Sequence, residues 1–231
     1  MLINTSRMVV VLLILLVLPA NAERITLPDL AAPPQGSTQW IARSMRLNGL
    51  PMSLKAFESR LSPGAVLAHY ESELKSSGRH EARRSANSPW QVLMLRSREH
   101  FITVQARAAS AGSEGTILVS PALDPAKLEL RTDFPRPSTV RIVNLQQYDD
   151  SGMQSEHISL YSERAPYIEA QAFSQLLITN GWNIIDTRPT RESHRGFVLE
   201  AQRQAEQALL VIIPDAVRPA TTAIVVTWKK S

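Results

Sequence analysis

Residues 62–78, SPGAVLAHYESELKSSG, and residues 165–181, APYIEAQAFSQLLITNG, are the two helix-forming stretches of the chain, and their neighbours decide the fold. In the first, Ser62 is placed to cap the amino end, Pro63 takes the first helical position, and Val66, Leu67, Tyr70 and Leu74 recur at helical spacing before Gly78 stops the run. In the second, Pro166 opens the helix, Ile168, Ala172, Phe173, Leu176 and Leu177 supply the apolar stripe, and Asn180-Gly181 closes it. Pro63, Tyr70, Leu74 and Gly78 correspond to Pro166, Phe173, Leu177 and Gly181 at a constant offset of 103 residues.

Working outward, similar signals flank both helices. Ser37-Thr38-Gln39-Trp40-Ile41 is answered by Ser138-Thr139-Val140-Arg141-Ile142, and each opens a hairpin that turns at Asn48-Gly49 or at Asp149-Asp150-Ser151-Gly152. Three strand candidates follow each helix. They are Trp90 to Arg96, Phe101 to Ala106 and Thr116 to Val119 in the first half, and Phe197 to Gln202, Ala208 to Ile213 and Thr222 to Trp228 in the second. Val92-Leu93 match Val198-Leu199, and Thr116-Ile117-Leu118-Val119 match Thr222-Ala223-Ile224-Val225. A repeated order of strands around a single helix predicts an α+β fold: a tandem duplication of a β-β-α-β-β-β module, each with its own antiparallel sheet and one helix packed on a face.

The expected boundaries are a signal peptide at 1–22, an extended Pro-rich tether at 23–36, module 1 at 37–120, a Pro-rich linker at 121–137 and module 2 at 138–231. The signal reading rests on Arg7, the apolar run from Met8 to Leu18 and the A-x-A site Ala20-Asn21-Ala22. Eleven apolar residues stopped by Pro19 fall short of the ~20 that span a bilayer, so an uncleaved anchor is the lesser reading and no later segment is long enough. The address this implies is a bacterial periplasm.

Composition narrows the chemistry. The 231 residues include no Cys, which excludes disulfides, thiol catalysis, Cys-based zinc sites and a lipidated N-terminal Cys. A 44% hydrophobic and 20% charged chain belongs with folded domains rather than disordered ones. The +4 formal charge is concentrated in residues 23–120, with 12 basic and 8 acidic residues, against 12 basic and 13 acidic in 121–231. With no aromatic-rich basic stripe, nucleic acid is a poor partner.

Motifs for catalysis are missing from the sequence. His69, His80, His100, His157 and His194 include no i, i+4 pair, and Ala111-Gly112-Ser113-Glu114-Gly115 lacks the first Gly of a nucleophile elbow and reads as a hairpin loop. Asp149-Asp150 reads as a turn rather than a calcium loop, and no cofactor is implied.

The distinctive polar feature is a basic cluster after each helix: Arg79, Arg83 and Arg84 in the first half, and Arg188, Arg191 and Arg195 in the second. These six form the candidate anion-binding set, weighed against solvated loops that keep sheet edges soluble.

The reading that follows is an exported, non-enzymatic envelope protein acting through protein–protein contacts in an envelope or secretion-type assembly. Its expected docking surface is a strand edge: Thr116 to Val119 or Thr222 to Trp228, rich in β-branched residues, accepts an added strand if it lies at an edge. The alternative is a binder of an anionic small molecule, lipid headgroup or glycan through the paired Arg-rich loops, and the third is an enzyme without a recognisable motif. Partner identity and oligomeric state stay open at this level.

Overall fold

Asn48 and Gly49 both adopt positive φ, 52° and 82°, the combination that a two-residue type I′ hairpin turn requires. They join β1 (Gly36–Leu47) to β2 (Leu50–Ser59). The computed structural model describes residues 27–76, 81–124, 128–150, 152–190, 195–218 and 220–230; the expected signal peptide lies outside the described residues. After β2 come α1 (Pro63–Ser76), β3 (Glu81–Asn87), β4 (Trp90–Arg96), β5 (His100–Ala109) and β6 (Gly112–Pro121). The second half follows with β7 (Arg141–Asp150), β8 (Met153–Ser162), α2 (Pro166–Thr179), β9 (Asn183–Pro189), β10 (Phe197–Arg203), β11 (Glu206–Pro214) and β12 (Thr222–Lys230).

All twelve strands form one antiparallel sheet in the order β3-β4-β5-β6-β2-β1-β7-β8-β12-β11-β10-β9. This corrects the expected class. The chain is mainly β, with two 14-residue helices on a single continuous sheet, not α+β with a separate sheet in each half. Two features escaped pattern reading. Each half has a further strand, β3 or β9, so the order is ββαββββ. The halves also join strand to strand, with Met45, Arg46 and Leu47 of β1 facing Tyr148, Gln147 and Gln146 of β7. Leu145 extends the joint by accepting from Asn48 N at 2.8 Å and donating to Asn48 Oδ1 at 2.8 Å. Met45 and Tyr148 stand 103 residues apart, as do the helix-opening Pro63 and Pro166, so at this one pair corresponding residues of the two halves face each other across the junction.

Both helices lie on the same face. Val66, Leu67 and Tyr70 of α1 are buried against Leu93, Leu95, Ile102, Val104 and Ile117. Each such side chain contributes ~1.5–3 kcal/mol when withdrawn from water. Phe173 and Leu177 of α2 are buried with Leu199, Leu210, Ile212, Val226 and Trp228. The α2 stripe differs from the expected one: Ala170 and Glu169 are buried, whereas Ile168, Ala172 and Leu176 are only half-buried.

Glu169 accepts from Ser162 Oγ at 2.7 Å and has Arg164 at 3.6 Å. Ladder registers also move one sequence match. Ser59 faces Ser113 and Ser162 faces Thr222, so Val119 corresponds to Trp228, not to Val225. Ser113, read as part of a loop, is a buried residue of β6.

Segments 27–35 and 128–140 brace the helix face. Tyr70 Oη donates to the Ala31 carbonyl at 2.8 Å, Ser59 Oγ to the Pro34 carbonyl at 2.9 Å, and Lys55 pairs with Asp29 and donates to the Leu30 carbonyl at 3.0 Å. Burial, then Glu73, pushes the Tyr70 hydroxyl well above its usual range. In the second half Phe134 is buried, its ring centroid 6.0 Å from Trp182 and 5.4 Å from Trp228.

Candidate functional site: the two edges of the sheet

Among the described residues the open sheet of twelve strands has two edges, β3 and β9. An edge strand offers backbone N–H and C=O groups on one side, which is what a docking strand reads. The strands expected to dock a partner are interior: β6 lies between β5 and β2, and β12 between β11 and β8, so neither has a free ladder. Strand addition at Thr116 to Val119 or Thr222 to Trp228 is therefore excluded by topology.

The edges are unequal. Ladder pairing of β3 with β4 runs without interruption from Glu81–Arg96 to Asn87–Trp90. All β3 residues except Ala82 are exposed, and no proline falls within the strand. Arg84 turns to the helix face, where its Nε donates to Glu71 Oε2 at 2.7 Å, and Lys75 donates to Glu71 Oε1 at 2.7 Å. Lys75 first, and Arg84 with it, hold the Glu71 carboxyl below the ordinary range. This contact ties β3 to α1. Arg83 points to the opposite face beside Met94 and has no carboxylate partner among the described residues.

In β9, Ile184 faces Ala201 and Asp186 faces Glu200, which leaves Ile185 as a bulge. The strand ends at Pro189. Arg188 bridges Asp186 and, at 2.9 Å, Glu200; these carboxylates, Asp186 foremost, hold its guanidinium above the ordinary range. Bulge, proline and charge are the devices by which sheets prevent edge pairing.

The four described candidate arginines, Arg83, Arg84, Arg188 and Arg195, thus fall into two groups at opposite ends of the strand order, and the fold does not bring these groups together. Arg79 and Arg191 lie outside the described residues. Arg84 and Arg188 are engaged with carboxylates, while Arg83 and Arg195 are exposed.

A basic pair that the sequence reading missed stands on the helix-free face. The guanidiniums of Arg141 and Arg218 each lie 5.0 Å from the ring centroid of Tyr161. Arg141 is the cross-strand neighbour of Tyr161. Arg218 comes from a turn in which Asp215 Oδ1 accepts from Val217 N at 2.9 Å and Arg218 N at 2.8 Å, contacts that lower the Asp215 carboxyl. Only cross-strand register places Arg141 beside Tyr161, so no local motif could reveal the pair.

A polar cleft of about 640 Å³ lies at the ends of β1, β2 and β6 and includes Arg60, Glu58, Glu114 and Ser113. Glu114 there is held by Arg107 at 2.7 Å. His69 is paired with Glu73 at 3.1 Å, and His157 Nδ1 lies 3.2 Å from Thr227 Oγ1. Among the described residues no three His, Asp or Glu side chains converge as a metal set, and no helix is long and apolar enough to cross a membrane. No protein-family model, curated protein or solved structure matches the chain.

Proposed function

We propose that this chain is an exported, non-enzymatic adaptor of the bacterial envelope that captures an extended segment of a partner protein along the open edge of β3. The observation carrying this reading is the contrast between an uninterrupted, proline-free β3 and a bulged, proline-ended β9. Export is supported by the signal-like residues 1–22. A strand laid beside β3 would meet Arg83 on the helix-free face, while Arg84 on the other is held by Glu71, so the partner segment is extended and carries an acidic residue toward the helix-free face. Main-chain bonds supply affinity and Arg83 selects register.

Proline scanning tests this. In an antiparallel ladder the N–H groups of successive residues point alternately inward and outward. One of Ser85→Pro and Ala86→Pro therefore removes only an outward donor, and the unchanged melting midpoint identifies which. That variant should lose partner capture from native envelopes while remaining folded; retained capture would overturn the proposal.

A second reading, binding of an anionic group, is favoured by the Arg141–Tyr161–Arg218 arrangement. Under it, Arg141→Gln with Arg218→Gln abolishes salt-sensitive binding to anionic vesicles and leaves capture at β3 unchanged.

A further inference from the structure

The hairpin tips on either side of the β1–β7 joint are counterparts, and only one is covered. Gly49 and Gly152 stand 103 residues apart, the offset that relates the two helices, and both have positive φ, 82° and 87°. A Cβ built on Gly49 would lie 2.8 Å from the Glu129 carbonyl oxygen, where linker residues 128–131 cross that tip. Gln147 Nε2 donates to the Arg131 carbonyl at 3.3 Å and holds them there. A Cβ built on Gly152 would meet nothing within 4 Å. The next residues differ in the same way: Leu50 packs half-buried against Ala42, Met45 and Met52, whereas its counterpart Met153 is 66% exposed.

Beside the bare tip lies a cavity of about 430 Å³, large enough for a small ligand or a side chain. Ile41, Ala42 and Met153 supply apolar lining, Lys229 and Lys230 supply charge, and no carboxylate stands among the described lining residues. Two bulges, at Ile41 and over Arg43 and Ser44, interrupt the β1–β2 ladder here, a device that re-aims side chains beside binding sites. Lys230 is drawn to Glu156 at 3.4 Å. Lys229 is exposed and has no carboxylate partner among the described residues. Met153 lies two positions along β8 from Ser155, the cross-strand neighbour of Lys229, so both side chains stand on the helix-free face.

We infer that the bare tip and this cavity receive a linear segment of a partner protein that carries an aliphatic side chain and, within about two residues of it, a carboxylate. The aliphatic group enters beside Met153 and Ile41, and the carboxylate meets Lys229. A peptide is the occupant because the molecule covers the counterpart tip with a peptide, its own linker, through main-chain contact. That linker is committed to Gly49, which leaves the Gly152 tip to a partner. The amides of Gln154 and Gln207 in the lining suit peptide groups and would be buried unpaired against a hydrocarbon chain. The site lies far from β3 in the strand order and does not rest on capture there.

Selection of a random peptide library, displayed on phage, against the mature chain tests this. Enriched sequences should share Leu, Ile, Val or Met with Asp or Glu within about two positions. A fluorescein-labelled copy of the enriched peptide should lose affinity about tenfold on Lys229→Gln, and at least as much on Met153→Glu. Both positions are exposed, so the circular dichroism spectra should not change. Replacing the peptide's acidic residue by its amide should cost as much on the parent chain and nothing further on Lys229→Gln. Absence of enrichment, or an enriched peptide indifferent to both variants, overturns the inference. A peptide lost instead on Arg83→Gln also overturns it, placing the peptide at β3 and leaving capture there standing. Fatty-acid binding or self-association that Met153→Glu abolishes, without peptide enrichment, assigns the cavity to another occupant and overturns it as well.

Discussion

The two halves share an element order and bury apolar residues in the same places toward their helices, yet they present different surfaces to everything else. Toward the helix, Leu93, Val104 and Ile117 answer Leu199, Leu210 and Val226. Away from it, Thr116 answers Val225 and Gln105 answers Val211; at the rims, the open β3 answers the guarded β9. Core packing constrains both halves alike, because each must bury one helix on one sheet face. The outward surfaces carry no such shared demand and have diverged, most plainly at the rims, where β3 runs unbroken and β9 is bulged and ends in proline.

The comparison can be broken most severely in the core. Trp228 is buried against Phe134 and Trp182, and Trp228→Ala should cost about 3–5 kcal/mol. At the corresponding place Val119→Ala should cost only about 1.5 kcal/mol, at ~0.8 kcal/mol per buried methyl or methylene group. Chemical denaturation of the two variants measures this; equal losses would show that the halves do not depend on their cores as the ring cluster implies.

The next effect concerns Glu169, buried where the first half has Val66. Arg164→Ala should destabilise by about 1–2 kcal/mol, less than the loss of a fully buried pair because Arg164 is itself exposed. Adding Glu169→Val, which copies the first half, should remove most of that loss. A double-mutant cycle without coupling would contradict the pairing.

A smaller effect is set by pH. The Glu71 carboxyl is lowered in the fold by Lys75 and Arg84, so its stabilising contact is complete above the ordinary carboxylate range and is lost as pH falls through the lowered value. Acid should therefore loosen β3 from α1, and Glu71→Gln should do the same at neutral pH. Hydrogen exchange of β3 amides, corrected for intrinsic rates, measures both; identical protection in parent and variant at neutral pH would contradict the tie. The least costly change to the fold is Val225→Thr, within about 0.5 kcal/mol for an exposed site by the same chemical denaturation.

Local periodicity made much of this legible. Pro63 and Pro166, Asn48-Gly49, and the strands from Trp90, Phe101 and Phe197 are written in caps, turns and alternation. Two things were not local. Strands Glu81–Asn87 and Asn183–Pro189 are edges with a single neighbour, so they lack a strong apolar alternation and resemble charged loops. The merger of two sheets depends on β1 meeting β7 about 100 residues later, and no spacing within either strand encodes that. Register likewise placed Arg141 beside Tyr161, helix packing brought Glu71 to Arg84, and the described candidate arginines were separated to opposite edges.

The most direct test of unequal edges is site-specific photocrosslinking in intact envelopes, with the reactive residue at Ser85 of β3 or at Thr187 of β9. The account predicts a discrete protein adduct from position 85 and none from position 187. Adducts from position 187 alone, or equal yields from both positions, would contradict it.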